Sequence, residues 1–192
     1  MEDTFIDRTF TARDFMNSSF AISEYDNCSF DQCDFSGADF SSAVFIDCKF
    51  NGCNLSLVKS GKTVFRDVEF KDCKMLGLHF EQCHGHGLSV KFERCILNQS
   101  SFYQCKLIKT SFKHCLLLET DFTETDLSAS EFEQCDFMKA LFERTILEKA
   151  DLRTSFNYTI DPEMNKIKKA KFSLSAIEGL LLKYNIEIDR SS

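Results

Sequence analysis

The chain has 192 residues, 28% of them charged, and a net charge of −7, so its length fits one domain with a continuous core. That charge argues against a nucleic-acid binder working through an overall basic field. With no run of about 18 apolar residues and no basic, apolar leader, neither a membrane span nor secretion is expected, and the expected compartment is the cytoplasm.

One proline, no tryptophan and 21 phenylalanines depart from ordinary composition, and a strict period explains the last. Every fifth residue from Phe5 to Phe80 is large and apolar, Ser60 excepted. The phase slips by two and resumes from Phe92 to Leu152. All but two of the phenylalanines occupy these slots. The position two residues before each slot is small from Ser18 onward, mostly Ser, Ala, Thr, Val or Cys, and it holds all ten cysteines. A helix would show apolar spacings of three and four, and a half-buried strand would alternate in twos. A period of five fits neither.

Units such as Cys33-Asp34-Phe35-Ser36-Gly37, Ala38-Asp39-Phe40-Ser41-Ser42 and Ala150-Asp151-Leu152-Arg153-Thr154 resemble the A-(D/N)-L-x-x unit of the pentapeptide-repeat family. The resemblance spans roughly residues 15–156. It implies an all-β fold: a right-handed quadrilateral parallel β-helix with four units per coil, one small and one large side chain of each pointing inward. Residues 20 apart then stack at about 4.8 Å. Phe10, Phe30, Phe50, Phe70, Phe92, Phe112 and Phe132 form one file, and Phe20, Phe40, Phe80, Phe102, Phe122 and Phe142 form another on the opposite side. Cys33, Cys53, Cys73, Cys95, Cys115 and Cys135 fall in one column. Parallel stacking does not converge four ligands on a metal, and it does not incline neighbouring Cβ atoms for a disulfide. They are expected to be free thiols used as small apolar core residues, with no metal or cofactor.

In chain order, the first coil carries Asp3, Arg8 and Arg13 where small residues belong, and these are expected to cap the open end. Lys59-Ser60-Gly61-Lys62 places a polar residue at a core slot, either as a bulge or as a tolerated defect. At Cys83-His84-Gly85-His86-Gly87-Leu88-Ser89 two extra residues enter. His84, Gly85, His86 and Gly87 there are expected to form a short turn or loop, too poor in ligands for a metal. Leu76, Ile96, Leu116, Leu118 and Met138 form an outward apolar strip. Residues 1–47 hold ten acids and two bases. Residues 119–136 hold Glu119, Asp121, Glu124, Asp126, Glu131, Glu133 and Asp136 with no base, the candidate partner-binding acidic face, while residues 91–113 are net positive. The repeat region is expected over residues 1–160 and a C-terminal cap over 161–192. Within that cap Ser175-Ala176-Ile177-Glu178 has capping-box spacing for a short helix. Ile177, Leu180, Leu181 and Tyr184 are its candidate dimerisation residues, a lid on the last coil being the other reading.

The tail from Pro162 to Ile188 resembles that of quinolone-resistance-type (Qnr-like) members, which implies tail-to-tail homodimers. The same resemblance makes the expected partner a type II topoisomerase, DNA gyrase or topoisomerase IV, engaged by mimicry of DNA and modulated or protected from quinolones, with no direct nucleic-acid binding. The alternative is a protein-interaction scaffold with another partner. A filled solenoid leaves no cavity for catalysis, and no enzyme is expected.

Overall fold

A computed structural model describes residues 4–15, 20–85 and 87–189. Each pentapeptide forms one side of a four-sided coil, and each side pairs in parallel with its counterpart in the next coil. On the first side β1 (Thr4–Ile6), β3 (Glu24–Asp26), β5 (Val44–Ile46) and β7 (Val64–Arg66) make one sheet. On the second, a sheet of seven strands runs through β2 (Thr9–Thr11), β4 (Ser29–Asp31), β6 (Lys49–Asn51), β8 (Val68–Lys71), β9 (Val90–Glu93), β10 (Ser111–Lys113) and β11 (Glu131–Glu133). The third and fourth sides are joined by single bridges, such as Ile96 to Leu116 and Ser101 to Asp121. This is the parallel β-helix that the repeat implies.

The register follows from the period. Phe10 pairs with Phe30 and Phe30 with Phe50, whereas Phe70 pairs with Phe92, so the two inserted residues are taken up within one coil. The second-side rings stack with centroids 4.6 to 5.5 Å apart and planes within 20° of parallel. Rings on adjacent sides meet edge to face, as Phe132 does Phe137 at 69°. Both geometries suit the ring quadrupole, and each buried ring contributes about 1.5–3 kcal/mol.

The corners explain why the coil is square. At most corners the residue two after the large inward one takes a left-handed conformation, as at Gln32 (φ 55°), Glu119 (φ 56°) and Lys169 (φ 60°). That conformation is unfavourable for a residue with a Cβ. It is held because the same residue's N–H reaches the next coil: Gln32 donates to the Asn51 carbonyl at 2.8 Å and Glu119 to that of Met138 at 3.0 Å. The consensus Asp or Asn before the large residue serves the turn, mostly on the third and fourth sides. Its side-chain oxygen accepts the N–H two residues on, at Asp34, Asp39, Asn54, Asp121, Asp126 and Asp136 among others.

All ten cysteines are free and buried. Ser60 keeps its place in the column; it is buried, and its hydroxyl donates to the His79 carbonyl at 2.6 Å, so the chain does not bulge there. At the start, Arg8 lies over the Phe5 ring, 5.2 Å from its centroid; Asp3 is outside the described residues.

Coil pairing continues past residue 160, joining Lys166 to Ile146 and Lys171 to Asp151. Asn165 stands at a small inward position and donates to the Phe142 and Asp161 carbonyls, both at 2.9 Å. The expected helix is of the 3₁₀ type, in two pieces, Leu174–Leu180 and Leu182–Tyr184. Ser173, not Ser175, stands at its N-cap position, with no side-chain capping bond; the two serine hydroxyls lie 3.1 Å apart instead. Docking decides this geometry. Ile160 donates to the Gly179 carbonyl at 2.9 Å, and a Cβ on residue 179 would collide with the Tyr158 carbonyl and ring.

Candidate protein-binding surface

The seven acids of residues 119–136 occupy one coil, and a coil visits every side of the rod. Asp126 lies on the first side, Glu131 and Glu133 on the second, Asp136 on the third and Asp121 on the fourth, with Glu119 and Glu124 at corners. They form a belt. Asp121, Asp126 and Asp136 accept backbone N–H groups of their own turns. Glu124 bonds to Gln104 at 2.7 Å and to Arg144 at 2.7 Å, contacts that lower its pKa. Glu119 meets Gln99 and Lys139, and Glu133 lies 3.7 Å from Lys113 and 3.9 Å from His114. These carboxylates therefore act largely within the rod, where exposed pairs of this kind contribute little to stability.

The second side continues the theme. Lys91 meets Glu69 at 3.0 Å, Arg94 meets Asp72 at 2.7 Å and Lys71 meets Glu93 at 3.7 Å, so charges alternate down the stack. Sequence reasoning sorted charges by stretch of chain and missed this. Residues 20 apart are the true neighbours, and reading charges at that interval would have found it.

The inserted segment interrupts the first side. His84 donates to the Thr63 carbonyl at 2.8 Å and Ser89 to that of Phe65 at 3.0 Å, which fastens both ends. His84, Gly85 and Gly87 are exposed, and His86 lies outside the described residues. Beside the segment is a hollow lined by Phe80, Cys83, Leu88, Tyr103 and Cys105. Burial pushes the Cys83 and Cys105 thiols up to about 12, which leaves them protonated and poor nucleophiles at neutral pH.

The apolar strip is real as a surface feature. Ile96 and Leu116 are bridged neighbours on the third side, Met138 belongs to the next coil, and Phe156 extends the strip through its bridge to Asp136. At the C-terminal end, Leu180 is buried and Ile177 packs against the core, whereas Leu181 is half-buried. Tyr184 is exposed and donates to Glu163 at 2.9 Å, beside a Lys183 that also holds Asp161 at 2.6 Å. The most exposed apolar residue there is Leu174 (89%), followed by Leu182 and Ile186. Among the described residues no helix is long and apolar enough to cross a membrane.

The repeat, its square coil and its filled interior define a solenoid that presents side chains on four long sides. A family profile described as a pentapeptide repeat region matches residues 23–89 and 86–157. The chain belongs to the pentapeptide-repeat family. No curated protein matches it. Among solved structures, a trypsin-treated variant of QnrB1, described as a plasmid-mediated fluoroquinolone resistance protein, overlays with a TM-score of 0.61 at 17% identity, covering 98% of each chain. Full-length QnrB1 overlays with a TM-score of 0.54 at 18% identity, covering 96% of this chain and 100% of its own. At such identity the likeness speaks for the fold.

Proposed function

We propose that this chain is a non-catalytic binding protein that engages a type II topoisomerase, DNA gyrase or topoisomerase IV, and modulates it or shields it from quinolones. The observation that carries the reading is the end-to-end likeness to QnrB1, a fluoroquinolone resistance protein, over 98% of both chains. A rod built of coils at a regular rise suits a surface shaped for duplex DNA, and its action is steric and electrostatic. The acidic belt from Glu119 to Asp136 is its candidate contact, with the exposed carboxylates Glu131 and Glu133 foremost. The experiment is gyrase supercoiling with and without the protein, repeated across a quinolone titration. The expected result is inhibition or a rightward shift of the drug response, weakened by Glu133→Lys without change in thermal unfolding. Neither effect at a large molar excess would defeat the reading.

The C-terminal segment is the proposed homodimer contact, through the apolar residues it leaves outward, Leu174, Leu182 and Tyr184. Sedimentation should give twice the chain mass for the wild type and the single mass for Leu182→Glu. A second reading is a scaffold for another protein, favoured by the third-side apolar strip and by the pairing of most belt carboxylates inside the rod. Binding abolished by Leu116→Glu yet indifferent to Glu133→Lys would select it.

A further inference from the structure

Electrostatically the first side changes sign along the rod. Its corner column reads Asp7, Asn27, Asp47, Asp67 before the break and Lys109, Ala129, Lys149, Lys169 after it. The flanking positions after the break add Lys106, Lys166 and Lys168, placed by the Lys106–Asp126–Ile146–Lys166 bridges and the Lys149-to-Lys168 backbone bond. All six lysines are exposed, and no ion pair to them occurs among the described residues. The two carboxylates on this face are Asp126, which accepts the Ser128 N–H and hydroxyl, and Glu148. Between the lysines stand Ile108, which is 52% exposed, and Ile146. At the top of the column, just below the break, is a hollow of about 290 Å³ lined by Leu88 and Ile108 and rimmed by Lys91, Lys106 and Lys109.

We propose that the C-terminal half of the first side docks an extended acidic segment of a partner protein, with an apolar side chain of that segment seated in the hollow between Leu88 and Ile108. The chemistry selects this occupant. Charge is complementary locally even though the chain is acidic overall, because exposed charges farther apart than the Debye length, about 8 Å at physiological ionic strength, are largely screened from one another. Asp67 and Lys109 stand two coils, about 10 Å, apart. A phosphate backbone would satisfy the lysines, but it has nothing apolar to set against Ile108 and Ile146. A peptide with carboxylates and one apolar anchor satisfies both. Lys109 and Lys149 are two coils apart, about 10 Å, which is close to three residues of extended chain. The proposal does not depend on the topoisomerase reading.

The test is selection of a random short-peptide display library on the immobilised full chain, followed by affinity measurement of the enriched peptide by fluorescence anisotropy. Enrichment of Asp and Glu together with Leu, Ile or Phe is expected. Reversing Lys106→Glu with Lys109→Glu should weaken that peptide about tenfold, the loss shrinking as salt is raised. Ile108→Ser should weaken it with little salt dependence. All these positions are exposed, so thermal unfolding should stay unchanged and separate lost binding from lost folding. No enrichment, or enrichment of neutral or basic peptides, would overturn the proposal, as would equal binding by the reversed variant. Tighter binding of a short DNA duplex than of the peptide, or self-association abolished by the lysine reversals, would assign the face to another occupant and overturn it likewise.

Discussion

Corners closed by cysteine and corners closed by threonine or alanine solve the same bend in different ways. At Thr63, Thr110, Thr125 and Thr145, and at Ala43 and Ala150, the coil turns tightly; at most of these the backbone N–H reaches the carbonyl three residues back, at Thr63 by 3.0 Å and at Thr125 by 3.1 Å. No such bond closes the corners at Cys28, Cys33, Cys48, Cys53, Cys73, Cys95, Cys115 and Cys135 among the described residues. Each of these thiols instead lies 3.3 to 3.6 Å from the carbonyl two residues back, which it can use as acceptor. Most also reach a carbonyl of the preceding coil, such as Cys53 to Phe30 at 3.2 Å. Most of these corners follow a three-residue strand on the first or second side. Cys83 and Cys105 follow no strand; they close with the backbone bond and line the hollow at the break. At the other eight corners cysteine goes with the open geometry. Its long, soft sulfur spans two carbonyls, whereas a threonine hydroxyl makes one short bond, 2.7 Å from Thr125 to the Phe102 carbonyl.

The largest way to break this comparison lies beneath both kinds of corner. Phe112→Ala should destabilise by about 3–5 kcal/mol in denaturant unfolding, because a fully buried ring leaves a cavity that stacked neighbours cannot close. Cys53→Thr tests the open corner directly. A branched side chain forced into the thiol column should cost about 1–3 kcal/mol by overpacking, and a neutral result would mean that the two kinds of corner do not differ in what they admit. The reverse swap, Thr125→Cys, exchanges a strong hydroxyl bond for a weak thiol one at a corner that keeps its backbone bond. About 0.5–1 kcal/mol is expected.

The smallest effect is one of pH. Asp151 has its pKa lowered to about 2, chiefly by Arg153, whose guanidinium lies 2.7 Å away, with Lys171 adding to it. A carboxylate depressed in the folded state contributes fully above its unfolded value of about 3.9 and loses that contribution as pH falls through about 2. Thermal midpoints of the wild type and Asp151→Asn should therefore differ near neutrality and converge in acid. Parallel curves would deny the pair any role.

Much of the fold was legible in the residues. Phe10, Phe30 and Phe50 stack because they recur every 20 residues, and the shift from Phe70 to Phe92 was readable as two inserted residues. The helix at the C-terminus was legible as an element but not in kind. Its 3₁₀ form depends on Gly179 meeting the Tyr158 backbone, a contact between segments about 20 residues apart. The candidate surfaces were legible only in part. Glu119 through Asp136 read as one acidic stretch, yet neighbours in sequence lie on different sides of the rod.

The sequence by itself determined which residues turn inward, because a strict five-residue period repeats one small and one large side chain; the square coil and its 20-residue register came from the resemblance to the pentapeptide-repeat family that those units carry. Tertiary structure alone decided which outward charges meet. Surface partners are set by residues one coil apart, and whether a carboxylate is paired, bonded to a turn or free depends on what the next coil places beside it.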